Sequence, residues 1–362
     1  MKHMNKTSRK NVKLLEATLR DGSYDVNFTF TSEDTSALCK ALEEVGFEYI
    51  EVGHGVGLNA SNMGYGKAVQ TDEEYMVAAK KVLKKAKYGM FCIPGIARLE
   101  DIDLAHKHGM GFIRIGTNIT EVANSEQYIK RAKKLGMFVT ANYMKSYAVP
   151  PNEFAKQVKL SQKYGVDLIY IVDSAGGMFA EDIERYYRAA RKVTGLPLGF
   201  HGHDNLGLAV SNSLFAADLG IEFIDTTLQA LGRSAGNACT EVVVAALLKR
   251  GYKIPIDLLK VLEVGQKYIQ PLISQKGRMP LDTIAGYAEF HSSYMPKIQK
   301  YSAKYRVDPA LLIIEMCKID KVNVDENILD SVAKKLKTKG GEVYLGKYRF
   351  NRYIGNEQDK RK

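Results

Sequence analysis

The feature that most constrains the fold is a regular alternation of short β-rich runs and amphipathic helical stretches over residues 13–251. The first helical stretch shows helical spacing of its apolar residues and starts with a capping candidate, Ser32 or Asp34. Eight strand–helix pairs in about 240 residues match the roughly 250 residues of a (β/α)8 barrel. The predicted strands are residues 13–18, 47–53, 88–95, 112–117, 137–144, 167–174, 197–203 and 222–227.

A doubly wound open sheet is the competing α/β arrangement. That fold more naturally carries a glycine fingerprint after its first strand, and the sequence contains neither GxGxxG nor GxxxxGK[ST]. The sequence therefore favours the closed barrel.

The alternation of strands and helices stops at about residue 275, and the chain beyond shows helical patterns only. Its last residues interleave tyrosine and phenylalanine with basic residues, which is typical of a docked arm or of a segment that binds something acidic. We therefore predict four segments: a basic N-terminal tail (1–12), the barrel (13–275), a small all-helical subdomain (276–338) and a basic aromatic tail (339–362).

The net charge of +11 belongs to the two ends of the chain. Residues 1–13 and 334–362 together carry +12, so the body between them is near −1. A nucleic-acid enzyme more usually has a basic stripe across its fold, so this pattern argues against nucleic acid as a partner.

The apolar runs and the cysteines of the chain indicate in which cellular compartment it works. No apolar run approaches the roughly 20 residues of a membrane span, and no apolar stretch follows the N-terminal charges as in a secretory signal. The four cysteines are too far apart for a CxxC metal clip or a compact disulfide framework. We predict a cytoplasmic protein with reduced thiols and no membrane partner.

Candidate metal ligands follow the predicted strands at the end where barrel chemistry occurs. Asp21 comes after the first strand, and His201 and His203 end the seventh. Alternate strand residues point to one face, so both imidazoles can approach one ion, and Asp21 lies only one strand further around a closed barrel. Two imidazoles and a carboxylate suit Mn²⁺, Co²⁺, Fe²⁺ or Zn²⁺ and tolerate Mg²⁺ less well, and the same set also serves non-haem iron oxygenases. Our first choice is Mn²⁺, with Co²⁺ or Mg²⁺ as alternatives.

Other strand-end residues are candidates for binding substrate. A divalent ion chelated by a 2-oxo acid polarises its carbonyl group, and the guanidinium of Arg20 can stabilise the enolate that forms. Ser174 can hold a substrate carboxylate or belong to an ordinary tight turn. His54 is expected at the same end of the barrel, and Asn237 closes a glycine-rich stretch that is either an anion nest or the entry to a helix.

Several motifs together resemble the DRE-TIM metallolyases, the pyruvate-handling aldolase and synthase barrels related to HMG-CoA lyase. They are TLRDG (18–22), IEVGHGVGL (50–58), DSAGG (173–177), HGHDN (201–205) and AGNACTEV (235–242). The helical stretch 286–307 is similar to the C-terminal extension of the 4-hydroxy-2-oxovalerate aldolases, so the resemblance to that branch covers about residues 13–337.

The resemblance implies retro-aldol cleavage of a 4-hydroxy-2-oxo acid to pyruvate and an aldehyde, or the reverse reaction. It implies Asp21, His201 and His203 as metal ligands, Arg20 as the group that stabilises the pyruvate enolate, and Ser174 beside the pyruvate carboxylate. A homodimer and an aldehyde dehydrogenase partner are further implications, although the basic aromatic tail departs from the family and argues against that partner.

The chain departs from the family at two positions. Those aldolases carry a histidine just after LRDG and a tyrosine in a GYAxxYSS pattern, whereas this chain has Tyr24 and His291 there. We hypothesise that His291 became the proton-transfer residue and Tyr24 its hydrogen-bonding partner, since histidine titrates near pH ~6.5 and tyrosine near ~10. The alternative is that His291 lies on a helix surface and the chemistry has changed.

Two rival functions stay open on the sequence. A Claisen-type synthase, of the kind that makes isopropylmalate or homocitrate, shares HxH and a GxGERxGN stretch that residues 232–237 echo without its glutamate. A non-catalytic barrel subunit, acting through its basic ends, is the second rival. The aldolase-like extension and the complete ligand set favour the aldolase.

Overall fold

The computed structural model describes residues 12–273, 280–338, 350, 353–355 and 357. Its strands are β1 (Lys13–Glu16), β2 (Tyr49–Glu51), β3 (Lys87–Cys92), β4 (Phe112–Asn118), β5 (Phe138–Met144), β6 (Leu168–Asp173), β7 (Leu198–Gly202) and β8 (Phe223–Thr226). They form a closed parallel barrel in sequence order, in which β8 returns to pair with β1. The predicted (β/α)8 fold is confirmed.

A helix follows each strand and covers the outside of the barrel. These helices are α1 (Ser32–Val45), α2 (Asp72–Val82), α3 (Leu99–Lys107), α4 (Glu126–Lys134), α5 (Pro151–Tyr164), α6 (Ala180–Arg191), α7 (Ala209–Leu219) and α8 (Thr240–Lys249). Among the described residues, no helix has both the length and the apolar character needed to cross a bilayer.

Local sequence signals set the two ends of α1. The N-cap is Thr31, one residue before the predicted Ser32, and Asp34 completes a capping box with it. The helix ends at Gly46, whose φ of 115° favours glycine, and a Cβ there would lie 2.1 Å from the carbonyl oxygen of Pro255. Helix and strand are thus joined by a turn that only glycine fits well.

The interior of the barrel is a packed core and not a pore. Apolar and aromatic side chains from several strands meet there: Leu15, Ala17, Tyr49, Phe112, Leu168, Tyr170, Val172 and Phe223. With the interior filled, space for a ligand remains at the carboxyl ends of the strands, which we call the mouth of the barrel.

Helices beyond the barrel form a second apolar cluster and lie over the mouth. After α9 (Leu258–Val264) come α10 (Pro280–Ala288), α11 (Met295–Tyr305), α12 (Pro309–Cys317) and α13 (Glu326–Thr338), with a core that includes Phe290 and Leu312. Asn205 donates to the backbone carbonyl of Asp282 at 3.0 Å, which ties α10 to the loop after β7.

The predicted segment boundaries stay predictions. The boundary between barrel and helical subdomain, at residues 275–276, lies outside the described residues. So do the N-terminal tail apart from Val12 and the C-terminal tail apart from residues 350, 353–355 and 357.

Candidate active site

Three side chains predicted as metal ligands converge at the mouth of the barrel. Asp21 begins a 3-10 turn after β1, His201 lies in β7, and His203 follows that strand. One ligand atom from each lies within 4.8 Å of the others, and all three residues are buried. The Nε2 atoms of the two histidines are 3.4 Å apart, and His201 Nε2 is 3.9 Å from Asp21 Oδ2.

The outer nitrogens of both histidines face groups that only accept hydrogen bonds. His201 Nδ1 is 3.0 Å from the Asp225 carboxylate, and His203 Nδ1 is 3.3 Å from the carbonyl oxygen of Gly236. Each Nδ1 must therefore carry the proton, which leaves a lone pair on each Nε2. Two lone pairs that face each other at this distance repel, and a shared cation relieves that repulsion, so the residues fit a divalent metal.

The protonation states also suit a metal. Burial alone would raise the pKa of Asp21, but the neighbouring charges of Arg20, His203 and His201 hold it well below its usual range. Burial lowers the pKa of His203 to about 4, against the opposing pull of Asp21. At neutral pH Asp21 is therefore a carboxylate and His203 a neutral imidazole, which are the ligand forms that bind metal.

A carboxylate behind His201 provides a test of this arrangement. We expect Asp225→Asn to weaken Mn²⁺ binding about 10- to 100-fold, because a neutral amide polarises and orients the imidazole less. Calorimetric titration with Mn²⁺ measures the change. Asp103→Asn is the matched control: Asp225 pairs with Arg114 in the barrel, whereas Asp103 pairs with Arg131 at 2.6 Å between the outer helices α3 and α4. An unchanged affinity in Asp225→Asn contradicts the assignment.

Arg20 is buried and fixed beside the predicted metal ligands. Its Nη1 donates to Asp21 and its Nε to Glu51, each at 2.8 Å, and its guanidinium lies 4.9 Å from the centre of the Phe91 ring. Two charged hydrogen bonds hold the group in one orientation. The structure thus places Arg20 where the sequence analysis expects it.

Arg114 is a site residue that the sequence analysis missed. It is fully buried, donates to Glu51 at 2.8 Å and also pairs with Asp225. Arginines and carboxylates thus form a continuous network from Arg20 to His201. The available signal was a charged residue in the middle of the apolar run of β4, because a charge inside a barrel strand needs a buried partner.

One cavity of about 680 Å³ contains most of the predicted site residues. The predicted residues that line it are Arg20, Asp21, Tyr24, Ser174, His201, His203 and His291. His291 follows α10, so the C-terminal helices and the barrel both contribute to the cavity.

His54 and Asn237, predicted to bind substrate, are not in the described lining of this cavity. His54 accepts from the backbone of Val56 and contacts the carbonyl oxygen of Gly66, at 3.1 Å each, so both its nitrogens serve the loop after β2. Asn237 donates to Asp21 and to the Leu231 carbonyl oxygen. The structure therefore gives Asn237 a role in orienting a predicted metal ligand.

His291 has the surroundings of a neutral proton-transfer group. Burial and the positive charges of Lys145 and Arg233 lower its pKa well below the usual value. Its Nδ1 accepts from the backbone N–H of Ser293 at 3.3 Å and lies 2.6 Å from the Ser293 hydroxyl. Nδ1 therefore carries the lone pair and Nε2 the proton, and Nε2 becomes an acceptor only when the proton moves to Nδ1, which then donates to the Ser293 hydroxyl.

Lys145 is a second residue that the sequence analysis missed. Its ammonium donates to the Tyr294 hydroxyl at 3.1 Å and to the Val322 carbonyl oxygen at 2.7 Å, and it lines the cavity. Burial lowers its pKa to about 8. Its backbone N–H donates to Ser174 Oγ at 2.9 Å, which fixes that hydroxyl in the cavity wall.

Fold and site together define the class as a (β/α)8 barrel with a buried cluster of two histidines and one aspartate that could hold a metal ion, beside an arginine. The chain belongs to the HMGL-like family, whose model matches residues 11–267. It is similar to the 4-hydroxy-2-oxovalerate aldolase of Carboxydothermus hydrogenoformans, with 37% identity over 332 residues, 90% of this chain and 98% of the relative. The protein of that name from Geobacillus thermodenitrificans is 35% identical over 92% of this chain and 98% of its own length.

Solved structures share the barrel. The N-terminal domain of a putative aldolase from Bacteroides vulgatus aligns with a TM-score of 0.66 at 28% identity, over 77% of this chain and 94% of that domain. The HMG-CoA lyase from Brucella melitensis aligns with a TM-score of 0.65 at 18% identity, over 74% of this chain and 100% of that one. At 18% identity the likeness shows the fold alone.

Proposed function

We propose that this chain is a divalent-metal-dependent aldolase of the class II pyruvate type, which cleaves a 4-hydroxy-2-oxo acid to pyruvate and an aldehyde or runs in reverse. The observation that carries the proposal is the Arg20 guanidinium, 2.8 Å from Asp21 in a cavity that also contains His201, His203 and His291. The 4-hydroxy-2-oxovalerate aldolase name of the curated relatives supports the same carbon–carbon lyase reaction.

Arg20 and Ser174 bind the pyruvate part of the substrate in this proposal. A divalent ion held by Asp21, His201 and His203 supplies a Lewis acid for the carbonyl group of the 2-oxo acid. Arg20 places a fixed positive charge where negative charge develops on the C2 oxygen, which lowers the barrier because no reorientation is needed. The Ser174 hydroxyl, positioned by Lys145, donates to the carboxylate.

His291 moves the proton on the C4 oxygen. In cleavage, Nε2 takes the proton of the C4 hydroxyl from the tautomer in which Nδ1–H donates to the Ser293 hydroxyl, and this tautomer gives up the bond from the Ser293 N–H to Nδ1. The C3–C4 bond breaks, its electron pair passes to C3 and the C2 oxygen as an enolate, and C4 leaves as the aldehyde. A proton from solvent at C3 then gives pyruvate, and His291 releases the C4 proton to solvent. Burial raises the pKa of Tyr24 to about 12, so Tyr24 stays protonated and donates a hydrogen bond.

We also propose Mn²⁺ as the ion, because two imidazoles and a carboxylate suit it, with Co²⁺ or Mg²⁺ as alternatives. The small-molecule partners are a 2-oxo acid and an aldehyde. The homodimer and the cytoplasmic location stay predictions, as does the argument against an aldehyde dehydrogenase partner.

Hydrogen–deuterium exchange at the pyruvate methyl group tests the proposal without knowledge of the aldehyde. In D₂O with Mn²⁺, we expect NMR to show exchange well above the buffer rate, since enolate formation removes a methyl proton. Chelator and Asp21→Asn are both expected to return exchange to the buffer rate. If no divalent metal supports exchange, the pyruvate aldolase proposal is wrong, and the acyl-CoA synthase becomes the leading candidate.

A further inference from the structure

The C-terminal tail contributes a carboxylate to the cavity. Phe350, Tyr353 and Ile354 pack against the apolar cluster of the C-terminal helices, and the Tyr353 hydroxyl accepts from the backbone of Leu281 at 3.1 Å. Beyond this anchor, Glu357 lies in the cavity wall. We call the described residues 350, 353–355 and 357 the C-terminal arm.

One of the two carboxylate oxygens of Glu357, Oε1, is paired with an arginine. Its Oε1 is 3.2 Å from Arg233 Nη2, and the side chains of Glu357 and Arg233 are only 6% and 12% exposed. Glu357 Oε2 and Arg233 Nη1 are buried, and neither has a hydrogen-bond partner among the described residues. Within the described part of the chain, the pair therefore presents one buried acceptor and one buried donor without partners, an arrangement that costs free energy until a ligand satisfies both.

This donor and acceptor lie near the residues that are predicted to carry out the reaction. The Arg233 guanidinium is 4.2 Å from the centre of the Tyr24 ring, and Tyr24 lines the same cavity as Asp21 and His291. A substrate group that reaches Glu357 and Arg233 therefore belongs to the part of the molecule next to the C4 oxygen, which is the aldehyde part.

The chemistry of the pair selects the group that it binds. A carboxylate or phosphate would pair with Arg233 but be repelled by Glu357. An ammonium would pair with Glu357 but be repelled by Arg233. A hydroxyl is neutral, and it accepts from the guanidinium while it donates to the carboxylate. A cavity of about 680 Å³ also has room for an aldehyde longer than two carbons.

We propose that the Glu357–Arg233 pair binds a hydroxyl group of the aldehyde, so that the substrate is a hydroxyaldehyde and the C-terminal arm determines specificity. This inference rests on the proposed aldolase function and names its substrate class. It assigns the arm a place in the site, whereas the sequence analysis left open a docked arm or a segment that binds something acidic.

The test compares pyruvate condensation with propanal, 2-hydroxypropanal and 3-hydroxypropanal. We expect at least one hydroxyaldehyde to exceed propanal in kcat/KM by about tenfold or more, because propanal leaves the buried donor and acceptor unpaired. Glu357→Ala is expected to remove most of that preference. Glu184→Ala, which breaks a glutamate–arginine pair with Arg188 on the outer helix α6, is expected to keep it.

Two results would overturn the inference while the aldolase proposal stands. One is a wild-type enzyme that exchanges the pyruvate methyl group but does not prefer a hydroxyaldehyde. The other is a Glu357→Ala variant whose kcat/KM changes equally for all three aldehydes, which would make the arm a general lid. Absence of methyl exchange in the wild-type enzyme, by contrast, refutes the proposed function itself.

Discussion

His291→Ala is expected to lower kcat for aldol cleavage roughly 10²–10⁴-fold, the range for loss of a general acid–base group. The imidazole lines the cavity with Asp21, and its Nδ1 contacts Ser293 at 2.6 Å, so the ring is positioned for proton transfer at Nε2. Steady-state cleavage of 4-hydroxy-2-oxovalerate at saturating Mn²⁺ measures the loss. A decrease below about tenfold would contradict the assignment.

A pH profile separates this role from a structural one. Burial, Lys145 and Arg233 hold the pKa of His291 well below its usual value, so the neutral form persists as the pH falls. Because the base must be neutral, we expect no acid limb from His291 in kcat/KM between about pH 8 and about pH 6.5, and loss of activity only below that range. A midpoint near pH ~6.5 would indicate an exposed histidine.

A surface histidine serves as the matched control. His108→Ala removes an imidazole that contacts Glu73 at 2.7 Å outside the cavity, and we expect it to leave kcat unchanged. Tyr24→Phe is expected to cost less than His291→Ala, because the phenol only donates a hydrogen bond in our mechanism. A larger loss in Tyr24→Phe would reverse the two roles.

Arg20→Lys is expected to reduce kcat about 10²–10³-fold, with a smaller change in the affinity for pyruvate. Lysine keeps the charge but loses the planar fork that donates to Asp21 and Glu51 at 2.8 Å each, so the positive charge is no longer fixed beside the developing enolate. Pyruvate methyl exchange and aldol cleavage should both decrease, because both pass through the enolate.

Arg98→Lys is the control for Arg20→Lys. Arg98 also donates through two nitrogens to one neighbouring carboxylate, that of Asp101, but its side chain is mostly exposed. We expect that variant to show wild-type kcat and exchange. If Arg20→Lys retains more than about a third of kcat, Arg20 acts in folding or metal positioning and does not stabilise the enolate.

The rival functions predict different results in the same assays. A Claisen-type synthase would release thiol from an acyl-CoA in the presence of a 2-oxo acid, which an aldolase does not. A non-catalytic subunit would show neither thiol release nor pyruvate exchange. The curated relatives with 35–37% identity carry the aldolase name, which supports the aldolase assays as the first choice.

The barrel and the meeting of Asp21, His201 and His203 could be predicted because both follow from regular geometry. Eight strand–helix repeats close into a barrel, and the carboxyl ends of parallel strands then converge at one mouth. Side chains two apart on a strand share a face, so the two histidines had to approach each other. The structure places their ligand atoms and that of the aspartate within 4.8 Å.

Loop conformation and long-range pairing decided the rest. His54 and Asn237 follow strands as the other candidates do, but hydrogen bonds tie His54 to its own loop and Asn237 to Asp21, and periodicity does not specify such loop contacts.

The same limit applies to the contacts between distant segments. Arg114 pairs with Asp225, 111 residues away, and Glu357 reaches Arg233 from the far end of the chain. By itself the sequence determined the fold and the strand ends that carry the chemistry. Only the tertiary structure decided which charges pair across the mouth, because those pairings depend on how separate segments pack and not on any local pattern.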